Sequence, residues 1–290
     1  MTTPQKRRSH TTQKNNRNTK ATKRRVRSRK RNLFRRLPSH LLWGLLSVVI
    51  VIYIYFLYTT FVGPYSFRWK AIYGEVTYPE GSVRGIDISH YQENIDWDRL
   101  RNATLQDSPV QFIFIKATEG TDKFDSNFNQ NFFYARKNGI IRGAYHFFST
   151  QSSARKQAEF FCRMVQLDEG DLPPVLDVET EVDHIDNYSS ERLKSEVLEW
   201  MRIVEKHYGI TPILYASHSF RLHYLNDPDF EKYPFWIAHY YVSDLKYKGK
   251  WAFWQHTDVG HVDGIDGYVD IDLFNGTAEE LADMCLKEIP

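Results

Sequence analysis

Eight short apolar runs, rich in β-branched and aromatic residues, recur between residue 85 and residue 274: 85–89, 112–117, 142–148, 175–179, 213–216, 235–239, 252–256 and 269–274. Runs of this length and composition read as strands. Helical patterns separate the early ones. Residues 127–138 are closed by Gly139, a good C-terminal stop, and residues 153–167 carry Ala154, Ala158, Phe161, Cys162 and Val165 on one stripe. Residues 191–208 place Leu193, Val197, Met201, Val204 and Tyr208 at helical spacing, with Ser189 or Ser190 as N-cap and Gly209 after them. The connections 240–250 and 257–268 are short and rich in Gly, Asp and Lys, which leaves little room for crossover helices and suggests antiparallel joins. A last helix is expected over 277–287. Strands alternating with helices, eight in number, point to an α/β fold, a barrel of the TIM type with an irregular second half. A doubly wound open sheet ranks second, because no glycine-rich phosphate loop favours it.

The rest of the chain differs in kind. No Asp or Glu precedes Glu75, and residues 1–74 hold 17 of the 38 Lys and Arg residues, leaving 21 basic against 36 acidic residues beyond them. A basic tail is thus joined to an acidic body. Between them, residues 41–62 carry no charge. As a helix rising about 1.5 Å per residue they span about 33 Å, enough for a bilayer core of about 30 Å. Trp43 lies near one end, and Tyr55, Tyr58 and Phe61 near the other, as interfacial anchors do. The positive-inside rule then puts residues 1–40 in the cytoplasm and everything after Val62 outside it. A long leading region, a long apolar run and no Ala-x-Ala-like site favour an uncleaved signal anchor over a cleaved signal peptide.

The tail has few apolar residues, so disorder is expected over 1–40, a connector over 63–82 and the barrel over 83–290. Its basic runs suit topology and anionic lipid better than nucleic acid, which is not expected as a partner. Cys162 and Cys285 both fall on apolar faces of expected helices, where free thiols are common, and their separation carries no zinc signature.

In barrels of this type the catalytic groups come from the C-terminal ends of the strands. Leu176-Asp177-Val178-Glu179 ends the fourth run with two carboxylates spaced two apart, hence on one strand face. Like charges forced together raise a pKa, and acid catalysis of glycoside cleavage needs one carboxyl that keeps its proton and one that stays charged. Asp87 in the first run and Asp270 in the eighth join them, because first and last strands become neighbours on closure. Asp272 shares the face of Asp270 but lies farther along. Tyr145, Lys116, Glu119, Tyr215, Trp236 and Gln255 are the candidates for lining a substrate groove. Lys116 with Glu119 reads equally as an ion pair, Trp254 with the other aromatics as packing or groove, and His146 and His239 as core or rim histidines.

Several of these stretches carry a resemblance. Gly85-Ile86-Asp87-Ile88-Ser89-His90-Tyr91-Gln92 resembles the opening motif of glycoside hydrolase family 25, the Chalaropsis-type lysozymes. Ile115-Lys116-Ala117-Thr118-Glu119-Gly120 and Gly143-Ala144-Tyr145-His146-Phe147-Phe148 are similar to its second and third strands. Leu176-Asp177-Val178-Glu179 matches its acidic motif, and Trp254-Gln255 with Val269-Asp270-Ile271-Asp272-Leu273-Phe274-Asn275-Gly276 resembles its ending. The likeness covers residues 83–276. It implies a (β/α)5(β)3 barrel that cleaves the β-1,4 bond between N-acetylmuramic acid and N-acetylglucosamine in peptidoglycan. Glu179 would be the general acid/base, Asp177 its partner, and Asp87 and Asp270 supporting acids. No metal or organic cofactor is called for, and a monomer is expected. Two departures stand out: Tyr91 where Trp is frequent, and Asp272 where the family usually has Asn. Whether Asp177 assists the substrate's 2-acetamido group or acts as nucleophile stays open at this point. The alternative reading is a membrane-tethered peptidoglycan-binding module without activity, against which the intact acids argue. A basic-tail adaptor with a merely structural barrel ranks third.

Overall fold

A computed structural model describes residues 38–62, 78–179, 189–242, 244–245 and 247–287. The expected disordered tail up to residue 37 and most of the expected connector, residues 63–77, lie outside the described residues. The chain divides into two units, Met1–Leu57 and Tyr58–Pro290. The first contains helix α1 (Ser39–Leu57). Its helical path runs on as a π-helical turn, so that Ser39–Val62 forms a 24-residue helix of mean hydropathy 2.3, long and apolar enough to cross a membrane.

The second unit is a closed barrel. Its eight staves are β1 (Val83–Ile88), β3 (Ser108–Glu119), β5 (Ile141–Phe147), β6 (Val175–Asp177), β7 (Ile213–Ser217), β8 (Phe235–Ala238), β9 (Phe253–Gly260) and β10 (Val269–Phe274). β2 (Thr104–Leu105) and β4 (Lys123–Phe124) are short antiparallel additions to β3. β1 pairs with β3 on one side and β10 on the other, which closes the ring. Helices α2 (Trp97–Leu100), α3 (Phe128–Lys137), α4 (Ala154–Met164), α5 (Ser190–Tyr208) and α6 (His218–Tyr224) follow the first five staves in turn, and α7 (Ala278–Met284) follows the last. Thus every expected run forms a strand, with boundaries shifted by a few residues.

Two expectations about the second half divide. β9 and β10 do pair antiparallel, and so do β10 and β1. β8 and β9 are parallel, contrary to the antiparallel join expected from the short connection. Among the described residues between β8 and β9 there is no helix, so the parallel pairing is made across a loop where a helix was thought necessary. Helix α6 was not expected; it has only seven residues, too few for a periodic pattern. Ser217 caps it by accepting from the Phe220 amide.

The period-2 alternation sorts the staves into two cores. Outward residues such as Ile86, Ile88, Ile113, Ile115, Leu176 and Val178 pack under the helices. The apolar stripe of α5, including Leu193, Val197, Met201 and Val204, is buried against this layer, and Ser189 accepts from the Arg192 amide to cap it. Inward residues Phe112, Phe114, Trp236 and Phe253 fill the lower barrel. Phe114 stacks on Trp236 at 4.4 Å between ring centroids, and Phe253 meets Phe112 and Phe114 edge-on at 5.2 and 5.0 Å. These rings need room. A Cβ on Gly85 would sit 2.5 Å from the Phe112 ring, and one on Gly143 2.6 Å from Phe114. Both cysteines are free thiols, Cys285 buried and Cys162 partly so, with burial pushing them up to about 11 and about 12 respectively.

Overpacking a closed core typically costs about 1–3 kcal/mol. Gly85→Ala is expected to lower the urea midpoint of the barrel by a corresponding amount, and an unchanged midpoint would contradict this account of the aromatic floor.

Candidate active site

Above the aromatic floor the barrel opens into a cleft of about 230 Å³. Its walls come from the upper ends of all eight staves and the loops above them. β1 delivers Asp87, and β3 delivers Lys116. β5 and β7 supply Tyr145 and Tyr215, β8 Trp236, and β9 Gln255. β6 ends at Asp177, and Glu179 follows just past the strand. β10 runs the opposite way, so its first residues, not its last, reach the mouth. Asp270 therefore lines the cleft opposite Asp87, its register partner, while Asp272 lies deeper, fully buried. The rim is braced locally: Ser89 and Gln92 form a capping box after β1, and the His90 amide and ring both bond the buried Asp125 carboxylate at 2.9 Å. Tyr91 is left standing exposed at the edge.

One amide organises the centre. Gln255 Oε1 accepts from the hydroxyls of Tyr215 at 2.7 Å and Tyr240 at 2.6 Å. Two donors on that oxygen fix which end of the amide is which. Its Nε2 then donates to Asp87 at 2.6 Å and to Asp270 at 3.2 Å. With two donors received and two hydrogens given, Gln255 has nothing left for a ligand. Expected to line the substrate groove, it does line the cleft, and it holds two acids and two tyrosines in place. The Asp177 and Glu179 carboxyls lie side by side and act on each other, and Tyr215 acts on Glu179 as well. Among the described residues no group of three or more His, Cys, Asp or Glu is arranged to hold a metal ion.

A family model, "Glycosyl hydrolases family 25", matches residues 86–265, which hold most of the barrel, from within β1 through β9. The chain belongs to glycosyl hydrolase family 25. It is 33% identical over 210 residues to Lysozyme M1 of Streptomyces globisporus, an alignment covering 69% of this chain and 70% of that protein. It is 41% identical over 247 residues to the uncharacterized protein YegX of Escherichia coli (strain K12), covering 84% of this chain and 86% of that one. The crystal structure of the bacterial lysozyme from Streptomyces coelicolor superposes with a TM-score of 0.65 at 32% identity, over 71% of this chain and 98% of that one. The protein is accordingly a glycoside hydrolase, and its cleft is where a family 25 barrel opens.

The electrostatics of this family 25 cleft are dominated by carboxyls. Burial raises Asp87 well above the usual carboxylate range, helped by the charge of Asp272. Burial raises Asp177 likewise, with Glu179 and Asp87 adding to it. Asp270 is pushed up to about 9, by burial first and by Asp87 next. Glu179 is exposed as a residue, but its carboxyl sits against Asp177 and Tyr215, and loss of water raises it too. The expectation that neighbouring acids alone would make Glu179 hold a proton is thus amended. Burial is the first cause, while Asp177 and the charge of Lys116 work the other way.

The sequence candidates separate cleanly. Asp87, Lys116, Tyr145, Asp177, Glu179, Tyr215, Trp236, Gln255 and Asp270 meet in the cleft. Glu119 does not: it lies on a neighbouring surface depression, paired with Lys116 at 2.8 Å and Lys123 at 2.5 Å. Trp254 faces outward into the shell, its indole donating to the His239 carbonyl. His146 is a core histidine, bonded to Thr118 at 2.7 Å and Gln157 at 3.0 Å and pushed down to about 4 by burial. His239 stacks on His218 outside the cleft lining. Tyr240 was missed, since it follows β8 in a loop with no strand pattern to place it. Its only signal was an aromatic residue two positions past Ala238, the end of a stave.

The raised acids set a sign for stability. Between the ordinary carboxylate range and about 9, the folded site holds protons that the unfolded chain has released. Unfolding in that window sheds protons, so stability falls as pH rises through it. Thermal unfolding midpoints are expected to drop from about pH 5 to about pH 8.5, and Asp270→Asn to shrink the drop; a midpoint that climbs over this range would contradict the assignment.

Proposed function

We propose that the protein is a membrane-anchored muramidase that hydrolyses the β-1,4 bond between N-acetylmuramic acid and N-acetylglucosamine in peptidoglycan. The observation that carries this reading is the Asp177–Glu179 carboxyl pair, side by side at the mouth of a cleft walled by aromatic and acidic residues. The match to family 25 and the likeness to Lysozyme M1 support the substrate class. The barrel reads as (β/α)5(β)3, helices following the first five staves and the last three following one another.

In this mechanism Glu179 protonates the glycosidic oxygen. Desolvation in the cleft lets it keep a proton at pH values where a free glutamate has lost it. Positive charge then grows at the anomeric carbon, and the 2-acetamido oxygen of the substrate attacks it. Asp177, held against Glu179, orients and polarises that amide. Glu179, now a carboxylate, activates the water that opens the intermediate, and the stereochemistry is retained. Lys116 stabilises the anions of both Asp177 and Glu179 as the proton leaves. Tyr145 and Trp236 offer aromatic surface to sugar rings. Asp87 and Asp270 support the pair.

The N-terminal helix supports a location for this chemistry. We read residues 41–62, within the Ser39–Val62 helix, as a single uncleaved span with the basic tail, residues 1–40, in the cytoplasm and the catalytic domain outside the cytoplasmic membrane. That position suits remodelling of the cell's own wall.

Glu179→Gln is expected to fold with an unchanged thermal midpoint and to lose at least about 100-fold in turnover of purified peptidoglycan, the usual scale for a positioned acid. Asp177→Asn should lose a comparable factor. Wild-type turnover in the first variant would remove the general acid, and in the second the assisting role.

A further inference from the structure

Asp272 is fully buried inside the barrel, below the cleft and outside its lining. Its Oδ1 accepts from the Trp236 indole at 2.8 Å. Its Oδ2 is also sealed from solvent, and no N–H or other donor reaches it. What does lie within bonding reach is the carboxyl of Asp87. The far oxygen of Asp87, Oδ2, already takes the Gln255 amide at 2.6 Å. Two buried carboxylates facing each other with no hydrogen between them would carry a large repulsion and leave Asp272 Oδ2 without a partner. One proton placed between them removes both penalties. We infer that Asp87 and Asp272 share one proton across a buried carboxyl–carboxyl hydrogen bond, and that Asp272 thereby sets the charge which Asp87 presents to the cleft.

The surroundings support a single shared proton. Trp236 donates to one member and Gln255 to the other, so each outer oxygen is stabilised as an anion and the pair as a whole keeps one negative charge. From its own strand Asp272 is faced by Asp270, a further acid. Across the cleft, Glu179 also acts on Asp87. The cation of the site, Lys116, is paired with Glu119 and acts on Asp177 and Glu179. Burial raises both members of the pair above the ordinary carboxylate range. Asp272 touches no substrate in this arrangement. It is a positioning residue that works through Asp87.

The test is carboxyl NMR of the full protein with ¹³C-labelled aspartate, titrated from about pH 4 to about pH 9, the range over which strongly coupled carboxyls separate. The wild type is expected to show one carboxyl of the pair titrating above neutral pH. In Asp272→Asn the side-chain oxygen still accepts from Trp236 and the amide can donate to Asp87. That variant should keep the wild-type circular dichroism, lose the upper step and show Asp87 titrating lower. Asp87→Asn should abolish the same step from the other side. Asp87 and Asp272 both ionised at pH 7 in the wild type, or an upper step still assigned to Asp87 in Asp272→Asn and to Asp272 in Asp87→Asn, apart from the step of Asp270, would overturn the shared proton. The role through Asp87 rests on the muramidase reading and is read separately. The pH–rate profile on peptidoglycan should shift in Asp272→Asn, and a superimposable profile would overturn that role. Absence of any peptidoglycan cleavage by the wild type would sink the muramidase reading and leave the NMR result standing.

Discussion

The Gln255 amide depends on a ring that closes in one register. β1 must sit between β3 and β10 so that Asp87 comes opposite Asp270. Only then can one side chain from β9 reach both acids with its nitrogen and two tyrosines with its oxygen. A slip of one residue in β10 would turn Asp270 into the outer shell and bring an isoleucine into the cleft. The antiparallel last stave thus does more than fill the ring. It brings its N-terminal end to the mouth and carries a second acid, Asp272, into the interior beneath the first.

This arrangement sets stability against chemistry. Aromatic rings in the lower barrel provide apolar burial and a dry floor. Immediately above them lie carboxyls whose charged forms are disfavoured by the same dryness. A fold selected for stability alone would not collect acids there. A glycosidase needs such a place, because the proton it transfers must stay on a carboxyl in a medium where free carboxylic acids are ionised. Lys116 tempers the cluster on the Asp177–Glu179 side, and bonds from Gln255 and Trp236 temper it on the Asp87–Asp272 side.

Much of this was legible in the sequence. Ile86-Asp87-Ile88 and Leu176-Asp177-Val178 each set an acid between two apolar residues, and a strand period of two then forces the acid to the opposite face. That argument placed Asp87, Asp177 and Asp270 together before any coordinates did, and Tyr145, Tyr215 and Trp236 beside them. Period two gives the face but not the direction of the strand; the sequence preferred Asp270 to Asp272 for the mouth, and the antiparallel run of β10 is the physical reason that Asp270 reaches it. Period two gives no side to a residue beyond the strand's regular part either. Glu119, at the end of β3, turned to Lys123 and away from the cleft. Trp254 was ambiguous only until Gln255 was given the inner face. Tyr240 and α6 fell outside any periodic stretch. The parallel pairing of β8 and β9 depended on the path of a loop, which no local pattern encodes.

The central claim is that this cleft cuts one particular bond in peptidoglycan. Mass spectrometry of the soluble products from purified peptidoglycan, reduced with borohydride after digestion, reports it directly. The account predicts muropeptides with newly reduced N-acetylmuramic acid at their ends. New reducing ends on N-acetylglucosamine, or none at all, would contradict it.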